Sequence, residues 1–509
     1  MGDGTYRNPI LHADYSDPDV IAVGDDFYLT ASSFGRAPGL PLLHSRDLVN
    51  WTLLGHALNR LEPADDFTAP RHDRGVWAPS LRHAGGRFWI FWGDPDHGIR
   101  QINSPSIHGP WTTPHLLKPG KGLIDACPLW DEGSGEAYLV HAWAKSRSGV
   151  KNRLTGHRMS PDGRSLLDEG TVIVDGDRIP GWFTLEGPKL YRHDGWFWIF
   201  APAGGVETGW QGAFRSRDFF GPYEERIVLA QGATDINGPH QGGWVRTPAG
   251  EDWFLHFQAR GAYGRLVHLQ PMRWGAGYTD GDGWPTLGAA GEPVRVHRKP
   301  AAPPQPRTRP ATDDTFPGGR YGPQWSWTAN QGPAWTHTHE GDGLRLTCVP
   351  TPDAHDLRLL PHVLTQRLSG ETFTAEVSLA LESVAPGARA GFAVLGDAFS
   401  WIGLEREADG GVRLVHRFAE TVAEHERDAA HPRRAPSGQA RLRIEVSAGA
   451  RCRFSADTGE GWRAAGPVFA AQPWRWVGAL LGLFAVAPDG TWEPGTATFT
   501  DFRTHARTD

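Results

Sequence analysis

The chain has 509 residues, 21% of them charged and 39% hydrophobic, with a formal net charge of −7. That length exceeds one compact core, so two or more domains are expected, and the lack of a basic excess excludes a nucleic-acid footprint. Trp and Phe each number 23 and Gly 64, a composition that predicts an all-β, turn-rich protein whose aromatic faces suit both core packing and sugar rings. Cys127, Cys348 and Cys452 are too few and too scattered for a disulfide framework or a zinc site. No run of 18 apolar residues suggests a membrane span. The opening Met1-Gly-Asp-Gly-Thr lacks a charged and apolar leader, so a cytoplasmic location is expected, with a trimmed secreted form as the alternative.

The first element is Asp17-Pro-Asp-Val-Ile-Ala-Val-Gly-Asp-Asp-Phe-Tyr-Leu-Thr30: an acid, Pro, an apolar run, a turn and an aromatic-rich run. Two short apolar runs around a turn pair predict a β-hairpin. The pattern returns at Trp77-Ala-Pro through Phe91, at Asp125-Ala-Cys-Pro through Val140, and at Glu186-Gly-Pro-Lys through Phe200, where Asp194-Gly195 is the turn pair. A fifth copy, His240 through His256, lacks the Pro. The first runs are anchored at Ile21, Leu81, Leu129, Leu190 and Val245, at intervals of about 48 to 61 residues, room for four short strands and their loops. Regular copies of a small antiparallel sheet predict a propeller, here with five blades over residues 1–296.

Residues 297–310 are Pro-rich and read as a semi-rigid linker. Beyond them Gly343–Cys348, Phe373–Ser378 and Ala440–Val446 alternate apolar and polar residues, which predicts half-buried strands of a β-sandwich over residues 311–509. The pairs Trp325/Trp327 and Trp474/Trp476 are expected to be core rather than exposed platforms. The sandwich shows no carbohydrate-module motif. Its expected roles are structural: contact between copies in a homo-oligomer, or a loop sent toward the rim of the pocket.

In a propeller the innermost strand of each blade borders the axis, so equivalent positions at its entrance ring one mouth. Asp17, Trp77, Asp125, Glu186 and His240 fill that position. Taken singly, an Asp before Pro is ordinarily a turn residue, Trp77 ordinarily core and His240 ordinarily structural; their recurrence in one slot is what points to a site. Three carboxyls around a polar pocket suit glycoside hydrolysis, one as proton donor, another to activate water or attack the anomeric carbon, and the third to raise the donor's pKa. Asp14, Asp17 and Asp19 all qualify on spacing.

Several motifs in order, Asn8-Pro-Ile through Ile21, Gly24 through Thr30, Pro38-Gly-Leu-Pro, His44 through Trp51, Val76-Trp-Ala-Pro79, Glu186-Gly-Pro, Gly238-Pro-His-Gln-Gly242 and Leu269 through Trp274, resemble glycoside hydrolase family 43 across residues 6 to 295. The remainder is similar to the sandwich that follows the propeller in the family's β-xylosidase-type members. The resemblance implies an inverting hydrolase of xylosides or arabinofuranosides, β-xylosidase or α-L-arabinofuranosidase, acting on xylo- or arabino-oligosaccharides. By register with the motif it implies Asp17 as general base, Glu186 as general acid and Asp125 as the tuning carboxyl. Phe34, Trp77, Arg265 and, with a weaker match, Trp143 would wall and clamp the sugar. His240 matches a residue that in some relatives helps hold a hydrated structural calcium; no cofactor is otherwise implied. One departure is Asp19, where many β-xylosidases carry a small residue. The rival readings are a retaining fructan- or sucrose-type propeller, whose Asn-Asp-Pro-Asn-Gly opening is absent, and a non-catalytic saccharide-binding propeller.

Overall fold

The computed structural model describes residues 3–275 and 283–507. Five four-stranded antiparallel sheets, each with its strands in chain order, follow one another around an axis. Their innermost strands are Asp19–Val23, Trp77–Ala84, Leu123–Asp131, Lys189–His193 and His240–Arg246, so all five apolar anchors of the repeat lie on them. The Asp194-Gly195 pair does form a two-residue hairpin turn, between His193 and Trp196. Both residues sit at positive φ, 48° and 74°, as a turn matched to the right-handed twist of the strands requires.

The second strands explain the dense aromatic runs. Arg87–Asp94 and Trp196–Ala203 are buried at every position after the first, because each lies inside its blade with neighbouring blades on both faces. Period-two alternation is therefore lost there. The sandwich keeps it: Phe373–Leu381 alternates buried and half-buried positions along its whole length, since one face of its sheet meets the core and the other solvent. A seven-stranded and a nine-stranded sheet make up this second domain.

The ring closes at its ends. Thr5–Arg7 pairs antiparallel with Val296–Arg298, so the last propeller-side strand takes up His297 and Arg298 before the Pro-rich connector begins. Asn8 clips the N-terminal segment to the fifth blade, its Nδ2 donating to Leu269 O and its Oδ1 accepting from Leu269 N.

At the centre lies Asp19, fully buried. Its carboxylate accepts from the N–H groups of Val20 and Leu81 and from Arg82 Nη1 at 2.7 Å, with Lys189 Nζ 3.6 Å away. Arg82 Nη2 goes on to Cys127 Sγ, and Lys189 Nζ donates to Pro79 O and Ser80 Oγ. On the fifth blade, a Cβ at Gly243 would stand 2.7 Å from Asp19 Oδ1. Four inner strands thus meet one carboxylate, and the third is joined to it through Arg82. The departure seen in the sequence is an axial lock, and its saturated bonding leaves Asp19 no freedom to act as a base.

The two domains share a continuous seam. Ala37 and Trp327 exchange both backbone hydrogen bonds, and the Asn330 side chain bonds Leu61 through both its N–H and its C=O. Trp325 and Trp327 are buried as expected.

Asp19→Ala removes one partner of a buried ion pair and strands Arg82. It should lower the free energy of unfolding by about 3–5 kcal/mol, read as a fall in the denaturation midpoint. A midpoint equal to wild type would show that Asp19 does not lock the ring.

Candidate active site

A short left-handed kink opens every innermost strand. Asp17, Ala78, Asp125, Gly187 and Gln241 have φ of 54°, 28°, 60°, 58° and 32°, each within one residue of the position singled out in the sequence. In three blades the pairing register shifts at the same place, between Trp77 and Ser80, Ile124 and Cys127, and His240 and Gly242. Such a bulge re-aims side chains away from the regular alternation, here toward the axis. Non-glycine residues at positive φ cost of order 1–3 kcal/mol each and cluster at functional sites. Asp tolerates the region better than most.

Asp17 is nearly buried and held at both oxygens. Ser32 Oγ donates to Oδ2 at 2.6 Å and Arg265 Nη1 to Oδ1 at 2.8 Å. Ser32 in turn accepts the N–H of Ala78, which ties the second blade's kink to the first blade's carboxylate. Asp125 accepts the N–H of Gly187 at 2.8 Å, so the third blade's carboxylate caps the kink beside Glu186. Only glycine suits that kink: a Cβ on Gly187 would meet the Gln241 side chain at 2.4 Å. Glu186 bonds His240 Nε2 through Oε1 at 3.0 Å, and its side chain is 25% exposed against 6% for Asp17. Glu186 is thus the carboxyl nearer the opening and Asp17 the deeper one.

Asp125 senses the other two carboxyls. Burial, then the charges of Glu186 and, after the opposing Gly187 N–H, of Asp17, hold Asp125 well above the usual carboxylate range; the Lys189 ammonium also opposes the rise.

The other sequence candidates divide. Trp77 stands at the entrance of the second blade, 6.2 Å from the Phe34 ring, and its buried Nε1 finds no acceptor among the described residues. That donor is available to a ligand hydroxyl or a water. Phe34 is itself packed into a cluster with Leu357, Trp474 and Val477 of the sandwich. Arg265 reaches Asp17 and stacks over Phe257. Trp143 lies opposite Leu123 at the same end of the third blade and turns its Nε1 to Thr155 of its own sheet. For a calcium ion the surroundings of His240 supply no direct cage: Nε2 is engaged by Glu186, and the described residues hold no group of three His, Cys, Asp or Glu able to bind a metal. Calcium prefers oxygen ligands in any case.

Sequence reasoning did not single out Ser32, Gln241 or Lys189, and it expected Trp476 to be core. Ser32 carries no signal beyond its place after the second strand, and Trp476 lies far along the chain. Trp476 meets Trp77 edge to face at 5.9 Å, and Trp474 stacks on His72 at 3.9 Å. The pair stands at the seam between the domains: Trp474 is buried in the adjoining sandwich cluster, as expected of core, and Trp476 is only partly buried against it. A cavity of about 870 Å³ opens elsewhere, at the opposite mouth, lined by Ile21, Arg82, Trp130, Tyr191 and Trp244. The strand entrances are absent from its lining, so the carboxyl geometry and not cavity size marks the site.

Comparison with known proteins identifies the family. A sequence model described as Glycosyl hydrolases family 43 matches residues 6–285, and one described as Beta xylosidase C-terminal Concanavalin A-like domain matches residues 313–505. The chain belongs to glycoside hydrolase family 43. This family member, a glycosidase, is 30% identical to a beta-xylosidase of Formosa agariphila over 95% of its own length and 88% of the relative's. It is 28% identical to a non-reducing end alpha-L-arabinofuranosidase of Bacteroides ovatus, over 68% and 65% of the two chains. A solved xylan beta-1,4-xylosidase of Bacillus halodurans superposes with a TM-score of 0.85 at 22% identity over 98% of this chain and 99% of that one, a likeness of fold.

The raised Asp125 value has a consequence for stability. An acid whose proton is held more tightly when folded gives a stabilisation that is complete below the ordinary value near ~3.9 and is lost as pH rises through the raised one. Asp125→Asn should remove that loss, so its thermal midpoint should exceed wild type by about 2–4 °C at about pH 8 and converge with it toward about pH 4. A wild-type pH dependence in the variant would contradict the assignment.

Proposed function

We propose that this glycosidase hydrolyses xylosides or arabinofuranosides of hemicellulose by a single inverting displacement. The observation that carries the reading is the unequal pair at one mouth of the axis. Asp17 is deep and fixed at both oxygens by Ser32 and Arg265; Glu186 is nearer the opening and held at one oxygen by His240. A beta-xylosidase and an arabinofuranosidase among the relatives support the pentose class.

In this reading each Asp17 oxygen keeps a lone pair beyond its hydrogen bond, and one of them takes a proton from water as that water attacks the anomeric carbon. Glu186 gives its proton to the departing glycosidic oxygen. Water adds, the glycosidic bond breaks, and one proton moves at each end, so two carboxyls and one water balance the reaction without a cofactor. Asp125, which holds its proton to higher pH than an ordinary carboxyl, sits beside the donor and fixes the Gly187 kink. Inversion expects the two working carboxyl groups about 6.5–9.5 Å apart, leaving room for the water. The Trp77 indole N–H would serve a sugar hydroxyl. Short saccharides are the only partner this reading requires.

Acid and base separate by leaving group. Asp17→Ala should lower kcat by roughly 10²–10⁴-fold on both nitrophenyl xyloside and xylobiose. Glu186→Ala should lose far more on xylobiose than on the aryl substrate, because nitrophenolate departs with little protonation. The thermal midpoint of each variant checks that it folds. The reverse pattern would overturn the roles, and saccharide binding without turnover by the wild type on either pentoside would favour a binding propeller.

A further inference from the structure

Asp14 is one of the three acids that spacing alone could not separate, and the structure gives it a different task from Asp17. It is 2% exposed and makes no contact with the pocket's other carboxyls. Its Oδ1 accepts from Ser16 Oγ at 2.7 Å and from the backbone N–H of Arg265 at 3.0 Å; its Oδ2 accepts from the N–H of Gly478 at 2.9 Å. Its backbone oxygen accepts Arg367 Nε at 2.6 Å. Gly478 and Arg367 both belong to the sandwich. Gly264, the residue before Arg265, leaves space for this carboxylate, since a Cβ there would meet Asp14 at 2.4 Å; a Cβ at Gly478 would stand 2.6 Å from Gly264 N.

We infer that Asp14 is a positioning residue through which the sandwich domain sets the placement of Arg265 on the base Asp17. Three chain segments meet at its carboxylate: the loop that carries Asp17, the backbone of Arg265 and the sandwich loop at Gly478. Ser16 O also accepts Ser32 N, so the loop from Asp14 to Asp17 is fixed at each end, once to the Ser32 that binds Asp17 and once to the Arg265 that binds it from the other side. Arg265 and Asp17 are joined side chain to side chain, while Arg265 is anchored backbone to Asp14. A shift at the seam is therefore passed to the oxygen that must face the attacking water. The inference rests on the hydrolase reading, in which Asp17 is the base.

Asn in place of Asp14 has one acceptor oxygen where two oxygens now serve three donors, so its amide N–H₂ would face a donor N–H. Asp14→Asn should lower kcat on the order of 10²-fold, the scale of a small misplacement, with KM changed by less than about twofold. In the Arg265→Ala background the same substitution should cost less than about twofold more, the mark of residues acting as a unit. An equal loss in both backgrounds, or wild-type kcat in Asp14→Asn, overturns the proposal. If Asp14→Asn does not fold, Gly478→Ala, which pushes the sandwich loop off Gly264 while keeping the Asp14 carboxylate, is put through the same cycle, and full turnover there overturns the part assigned to the sandwich. A crystal structure of the variant reads the coupling without turnover: loss of the 2.8 Å contact between Arg265 and Asp17 supports it, and its retention overturns it. A wild-type chain without glycosidase activity would instead fail the reading of function and leave the structural result standing.

Discussion

The site depends on a backbone constraint: each innermost strand can present a side chain to the axis only by starting in the left-handed region. Five kinks at positive φ, from Asp17 to Gln241, do this at the strand entrances. Each kink is held by a neighbour. Ala78 N bonds the Ser32 that binds Asp17, Gly187 N bonds Asp125, and Gln241 covers Gly187. The kinks are thus tied in two groups, and the pairing of Thr5–Arg7 with Val296–Arg298 closes the propeller around them. A regular strand at any one of these places would turn its side chain back into a blade.

That ring also fixes the electrostatics. Three carboxyls converge in a buried mouth, and the protein treats each differently. Asp17 receives a guanidinium and a hydroxyl, Glu186 an imidazole, and Asp125 a single backbone N–H with the other two charges facing it. Asp125 therefore keeps its proton to higher pH than a free carboxyl would. Behind it the Asp19, Arg82 and Lys189 lock places positive charge toward the floor without exposing it.

Much of this was legible in the sequence because the repeat is written into it. Asp-Gly and Gly-Gly turns, aromatic second runs and a shared slot gave the blades and four of the polar residues that face the mouth. The three N-terminal acids show where legibility stops. Asp14, Asp17 and Asp19 differ by two or three positions, yet one is knotted to Gly478, 464 residues away, one is turned to the axis by its φ, and one is saturated by ion pairs from other blades. Only the register of a known motif picked Asp17. The Trp474/Trp476 pair illustrates the same limit: apolar bulk predicts burial, but which surface buries it is decided by how the sandwich docks. Trp476 ends against Trp77 across the seam, a contact that no local pattern encodes.

The account turns on Asp17 delivering water to the face opposite the proton donor. Proton NMR of the sugar released in the first moments of hydrolysis of a β-xyloside, before mutarotation, tests this most directly. The α-anomer should form first, as displacement by water with inversion requires. First formation of the β-anomer would mean a covalent glycosyl intermediate and would contradict the role given to Asp17.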